Sequence, residues 1–394
     1  MAVYKFIKNT TSKYLIIGVL IALSATAQSK EITLAFGQTP YDFQPALDAF
    51  SRQHNVTIVT PESTQDLKSE LIKRSRKKRL PDIFIAPFDY TALPNLPLLT
   101  LDKSWFNSDM SQSALDLVQV EGGFSSVPLV AGNHLLLFYN KALVDQPAQS
   151  WQELEAQKSS MTSGQKLIAW AYNGMYMFIP FLSAFDALPI QNNELKLSGS
   201  GMIKALEFYW TLPDRGLAHP DCYISCISEG FGNGEIAYVI DGIWSYKRYS
   251  QELGNNLGVA LLPNINNRPM QPYFSAHVLA VVDKADQDQA LVKKLALHLQ
   301  SYAVQRTLWH SSKALPTNGK LLNSIVSAGN ANDAAIIAQL EGAIPMPNSP
   351  YMAVIWEAMS KGFNRYGADI LNAKEASDLM QHLAQRTIDR QQTQ

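Results

Sequence analysis

The chain has 394 residues, and its 33 Lys and Arg against 34 Asp and Glu leave a formal net charge of -1. That balance excludes a whole-molecule field able to recruit nucleic acid or an anionic membrane surface. Charged residues are only 17% while aromatics are 10%, with seven tryptophans, so an aromatic-lined binding site is the feature to look for.

Lys5, Lys8 and Lys13 precede the apolar run 14–24 (YLIIGVLIALS), and Ala25-Thr26-Ala27 supplies small residues after it. This is the order of a secretory signal peptide over 1–27. The run falls short of the ~20 apolar residues that a membrane-spanning helix needs. No cysteine lies near it to carry a lipid, so release into a periplasm is expected. The remaining chain of about 365 residues is long enough for two domains, each with a core.

Strands are expected over 31–36, 56–59 and 82–85, alternating with helices over 43–50 and 66–79. Strand-helix-strand-helix-strand predicts a parallel sheet flanked by helices. The second helix carries Lys68, Lys73, Arg74, Arg76, Lys77, Lys78 and Arg79, read as a solvated face ahead of an interaction patch. Further strands are expected over 135–139, 166–170, 235–240, 257–262 and 276–282. Helices are expected over 147–158, with Ser150 as cap and Glu153 three residues on, and over 202–210. Beyond about residue 287 the pattern is nearly all helical. No Gly/Pro/Ser-rich linker divides the chain, which points to α/β lobes joined by close crossovers.

The chemistry-bearing motifs are absent. The sequence has no H-E-x-x-H, G-x-S-x-G or G-x-x-x-x-G-K-[ST], and the glycines of 230–234 have the wrong spacing for a dinucleotide. The seven histidines are scattered, so neither a metal nor a cofactor is expected. Cys222 and Cys226 stand four apart, and one helical turn brings two Cα atoms roughly 6 Å apart, within disulfide reach. A metal site there would need more ligands than His219 and Asp221.

Aromatics beside chain breaks are the positive signal. Trp244 follows a strand end in Asp241-Gly242-Ile243-Trp244, and Trp356 lies in a helix after Met346-Pro347-Asn348-Ser349-Pro350. Tyr172 and Tyr176 flank Asn173-Gly174. A sugar ring offers an apolar C–H face and a rim of hydroxyls, which suits flat aromatic platforms with a few polar partners.

Four ordered segments carry a resemblance: Leu135 to Trp151 with Tyr139-Asn140-Lys141, Phe231 to Trp244 (F-x-x-G-E-x-A-Y-x-x-D-G-x-W), Leu261 to Val282, and Met346 to Trp356. In these the chain resembles the maltose/maltodextrin-binding proteins, within the extracellular solute-binding proteins of ABC importers. The resemblance implies an α/β, two-lobed periplasmic binding fold. Each lobe would be a mainly parallel sheet flanked by helices, with the ligand cleft between them. Lobe one would combine 28–131 with 278–326 and lobe two 138–272 with 333–394, with hinge crossovers near 132–137, 273–278 and 326–333. Trp244, Trp356 and Tyr176 match the family's sugar-stacking aromatics, and Asp89 matches a hydroxyl-binding aspartate. Around that aspartate a tryptophan and an arginine become Ala86 and Tyr90. Asn133 and Gly174 replace two sugar-binding glutamates, Gln38 stands near a lysine position, and Ser360 stands at an arginine position.

The expected function is therefore capture of an oligosaccharide for an inner-membrane ABC permease, by a monomer that performs no chemistry. A chemoreceptor or sensor is a further expected partner. The alternatives are the same fold binding a non-sugar solute and, more distantly, a secreted glycoside hydrolase with paired carboxylates.

Overall fold

The computed structural model describes residues 30–36, 41–60, 66–93, 95–191 and 194–392; the expected signal peptide and Gln38 lie outside the described residues. The alternating start of the chain forms strand Lys30–Phe36, which turns Ile32 and Leu34 into a core. It pairs in parallel with Val56–Val59 and with Ile83–Pro87, Leu34 opposite Ile83. Helices Gln44–His54 and Leu67–Arg76 make the two crossovers. Asp66 caps the second helix, accepting from the Ser69 N–H at 3.1 Å.

The rest of this sheet pairs mostly in antiparallel fashion. Strand Tyr273–Val281 lies antiparallel between Ile83–Pro87 and Val127–Gly132. Leu315–Pro316 closes the far edge, and Ile344–Pro345 adds to the start of Tyr273–Val281. The second sheet has four strands in the order Leu257–Ala260, Leu135–Asn140, Ile236–Gly242, Lys166–Ala169. Phe138 faces Val259 and Val239 across antiparallel ladders, and only the ladder between Ile236–Gly242 and Lys166–Ala169, with Val239 opposite Ala169, is parallel.

The sheets are thus mixed, not mainly parallel as expected. A parallel neighbour needs a crossover of a dozen or more residues. Only Asn133 and His134 separate Val127–Gly132 from Leu135–Asn140, so the chain runs straight from one sheet into the other. A strand delivered that way takes its direction from the crossing and not from a local helix.

Two main cores result. Leu34, Phe50, Ile83 and Leu279 belong to one, and Trp151, Trp170, Phe181 and Tyr209 to the other. The chain passes from the first at Val130 to the second at Leu135, and returns between Tyr273 and Ala276. The second sheet is buried on both faces: Leu135 and Leu137 face the second core, while Leu136 and Phe138 face a third cluster with Val239 and Ile336. The helix expected over 147–158 is shorter, Trp151–Ala156, because Ser150 is extended and bridges to Asn264. Ser150 still caps it, accepting from the Glu153 N–H at 3.2 Å.

Candidate functional site

Tyr176 and Trp356 pack at the two crossovers between the sheets, where the chain passes from one core to the other near 130–135 and 273–276. Helix Met175–Ala184 places Tyr176 in its first turn, with the phenol oxygen 2.6 Å from the Asn133 carbonyl oxygen and 3.0 Å from that of Tyr273. Asn133 sits at a left-handed φ of 55°, directly after Gly132 at φ 110°, so the crossing is a sharp turn that presents its carbonyl. Burial first, then the charge of Asp89 and the Tyr273 phenol, push the Tyr176 hydroxyl far above its ordinary range. It therefore stays a donor at any physiological pH.

Trp244 follows strand Ile236–Gly242 in a short 3-10 turn, Ile243–Ser245. Its ring lies against Gly242 so closely that a Cβ there would collide with it. The rings of Tyr176 and Trp244 are 6.2 Å apart and inclined by 47°. On the other crossover, Tyr273 meets Trp356 edge-on at 6.4 Å. Trp356 comes from helix Met352–Gly367, and the break before it is tied down where the Met346 N–H donates to the Phe274 carbonyl at 2.8 Å.

Asp89 and Tyr90 occupy the turn Phe88–Ala92 at the end of strand Ile83–Pro87. Lys68 reaches this turn, its Nζ 2.6 Å from Asp89 Oδ2 and 4.8 Å from the Tyr90 ring centre. The same turn approaches the Met346–Pro350 break, with Asn348 Nδ2 3.4 Å from Thr91 Oγ1. Trp244, Trp356, Tyr176, Asp89, Tyr90 and Asn133 are all half-buried, so ring and carboxylate surface remains open. By contrast Trp105, Trp151, Trp170 and Trp309 are buried, as is Tyr172, whose hydroxyl donates to the Tyr209 carbonyl. Ala86 is fully buried beside Leu71 and Phe84 and offers nothing to a ligand.

Sequence reasoning missed Lys68, Thr91 and Asn348 at this rim. Lys68 lies 21 positions before Asp89, among six other basic residues, and nothing in the pattern singles it out. The signal that finds it is topological. In a strand-helix-strand unit the helix begins at the carboxyl edge of the sheet, where ligands bind in α/β folds. Cys222 and Cys226 are joined in a disulfide, their Cα atoms 5.3 Å apart, across the start of helix Ile224–Gly232. Among the described residues, no three of His, Cys, Asp and Glu gather into a metal ligand set, and no helix is long and apolar enough to cross a membrane.

Residues 46–356 match the family model of bacterial extracellular solute-binding proteins. The maltodextrin-binding protein MdxE of Bacillus subtilis is 23% identical over 357 residues, 83% of this chain and 82% of that protein. Among solved structures, the maltose/maltodextrin-binding domain MalE of Bdellovibrio bacteriovorus, bound to maltotriose, superposes with a TM-score of 0.79 at 20% identity. That match covers 91% of this chain and all of the other.

Proposed function

Because this chain belongs to the bacterial extracellular solute-binding proteins, we propose that it is the substrate-binding subunit of an ABC importer, holding an oligosaccharide between its lobes and closing on it. The observation that carries this reading is the grouping of half-buried aromatics, Trp244, Tyr176 and Trp356, around the two crossovers. Flat apolar faces beside a carboxylate suit a ring with one C–H face and a rim of hydroxyls. The maltodextrin and maltotriose of the similar proteins support the same ligand class.

In this reading Asp89 accepts ligand hydroxyls while Lys68 holds its other oxygen. Asn133 contributes an amide at the margin, and the resemblance alone adds Gln38 to the candidates. The chain segments near 132–137, 273–278 and 326–333 act as the hinge between the lobes. The protein works as a released periplasmic monomer, delivers its solute to a membrane permease and performs no chemistry on it.

Titration with maltodextrins, other oligosaccharides, polyamines and phosphoesters, followed by tryptophan fluorescence, tests the proposal. An oligosaccharide is expected to give the saturable response. Trp244→Ala is expected to weaken binding roughly tenfold, since an aromatic platform contributes about 1–2 kcal/mol. A response confined to polyamines or phosphoesters, unchanged in Trp244→Ala, overturns the saccharide assignment.

A further inference from the structure

A cavity of about 250 Å³ opens beside Trp244. Met177, Ile224, Ile227 and Trp244 line it on the apolar side, and Asp241 and Arg248 on the polar side. This is smaller than the roughly 300–1,000 Å³ of a site that encloses a whole drug-sized ligand. It has room for one ring.

The two sides are built differently. Asp241 is already engaged, accepting from its neighbour Gly242 N–H at 2.7 Å and from the Tyr249 hydroxyl at 2.8 Å. The Arg248 guanidinium lies over the Tyr249 ring at 4.8 Å, with Nη2 3.9 Å from Asp241. Its Nε, however, is buried and has no hydrogen-bond partner in the protein. That Nε is closed to solvent, whereas the side chain as a whole is 41% exposed and lines the pocket, so its other guanidinium N–H groups can donate to an acceptor that enters.

The apolar wall is also unusual. Ile224 is 69% exposed and its neighbour Tyr223 is 65% exposed, although both are large apolar side chains. They stand between Cys222 and Cys226, so the disulfide pins this turn in place. Adjacent apolar groups held toward solvent mark a contact surface when they adjoin a pocket.

We propose that this pocket is a further subsite that takes one additional glycosyl ring of a bound oligosaccharide. The ring's C–H face lies on Ile224 and Met177, and a hydroxyl oxygen accepts from Arg248. Continuity with the platform identifies the occupant, because Trp244 both contacts Tyr176 and lines the pocket. The proposal rests on the saccharide reading above, and its test separates the two.

Calorimetric titration of the purified protein with an oligosaccharide series of one to seven units reads the effect. In the wild type, affinity steps up at one chain length, where the added unit enters the pocket. Ile224→Ser, an exposed position that leaves the cores untouched, and Arg248→Gln should each remove most of that step. A loss of roughly fivefold is expected at that length and beyond, with shorter ligands bound within about twofold of wild type. Short saccharides binding with no step at any length, or a step that survives both substitutions, overturns the subsite alone. No binding by any saccharide overturns the saccharide reading and the subsite with it.

Discussion

At the crossover between the two sheets, His134 is fully buried, with Nε2 3.0 Å from the Ile336 carbonyl and Nδ1 without a partner. Burial pushes its imidazole down to about 4, against an ordinary value near 6.5. The sign follows from linkage. Between those two values the unfolded chain binds the proton and the folded one does not, so acid favours unfolding. The contribution is complete above the unfolded value and is lost as pH falls from about 6.5 toward 4, on the order of 3 kcal/mol in all. Denaturant midpoints measured at pH 7, 5.5 and 4.5 should fall in the wild type. His134→Asn should begin less stable and show a shallower decline. Equal slopes for the two proteins would remove His134 from the account. None of this is legible from sequence, where His134 is one histidine among seven. The same limit hides the pairing of Lys68 with Asp89, and it separates Tyr176, half open at the crossovers, from Tyr172, which is core.

Elements were more readable than residues, because periodicity and buried runs report on one face at a time. Strand Val56–Val59 and helix Leu67–Arg76 fall where alternation and helical spacing put them. Strand Val127–Gly132 is not legible in the sequence, since Pro128 and Gly132 look like breakers; both belong to a strand that ends in the crossover between the sheets. Helix Met175–Ala184 was missed for a similar reason, with Pro180 inside it. Direction within a sheet was the other failure, because pairing depends on where the chain crosses between sheets. One local feature does govern the site. Gly242 has an ordinary φ of -80°, so only the closeness of the Trp244 ring demands a glycine there. Gly242→Ala should therefore push the ring off its seat, with a destabilisation of roughly 1–3 kcal/mol, as overpacking typically gives. Affinity for the oligosaccharide should fall about as far as in Trp244→Ala. Full affinity in Gly242→Ala, measured by the same fluorescence titration, would show that the ring's position does not matter.

For the molecule as a whole, Tyr176 links the proposed ligand surface to the segments that cross between the two sheets. Its ring sits beside Trp244, and its hydroxyl reaches a carbonyl in each of the two crossovers, at Asn133 and at Tyr273. Asn348 Nδ2 also lies 3.4 Å from Thr91 Oγ1, joining the two segments proposed to flank the cleft. A ligand shifts such a two-lobed molecule only as far as it binds the closed form better than the open one. Small-angle scattering should accordingly show a smaller radius of gyration at saturating ligand than without it. Tyr176→Phe keeps the ring and removes the donor that fastens the helix Met175–Ala184 to both crossovers. The loss of one hydrogen bond, about 1 kcal/mol, should loosen the hinge and weaken affinity roughly fivefold. The ligand-free form should then scatter as a more open particle than the wild type, while the saturated forms match. A radius that does not change on saturation, in a protein that binds the sugar, would mean that capture occurs without closure. In that case the phenol-to-crossover bonds would be structural alone, and Tyr176→Phe would change thermal stability and leave affinity untouched.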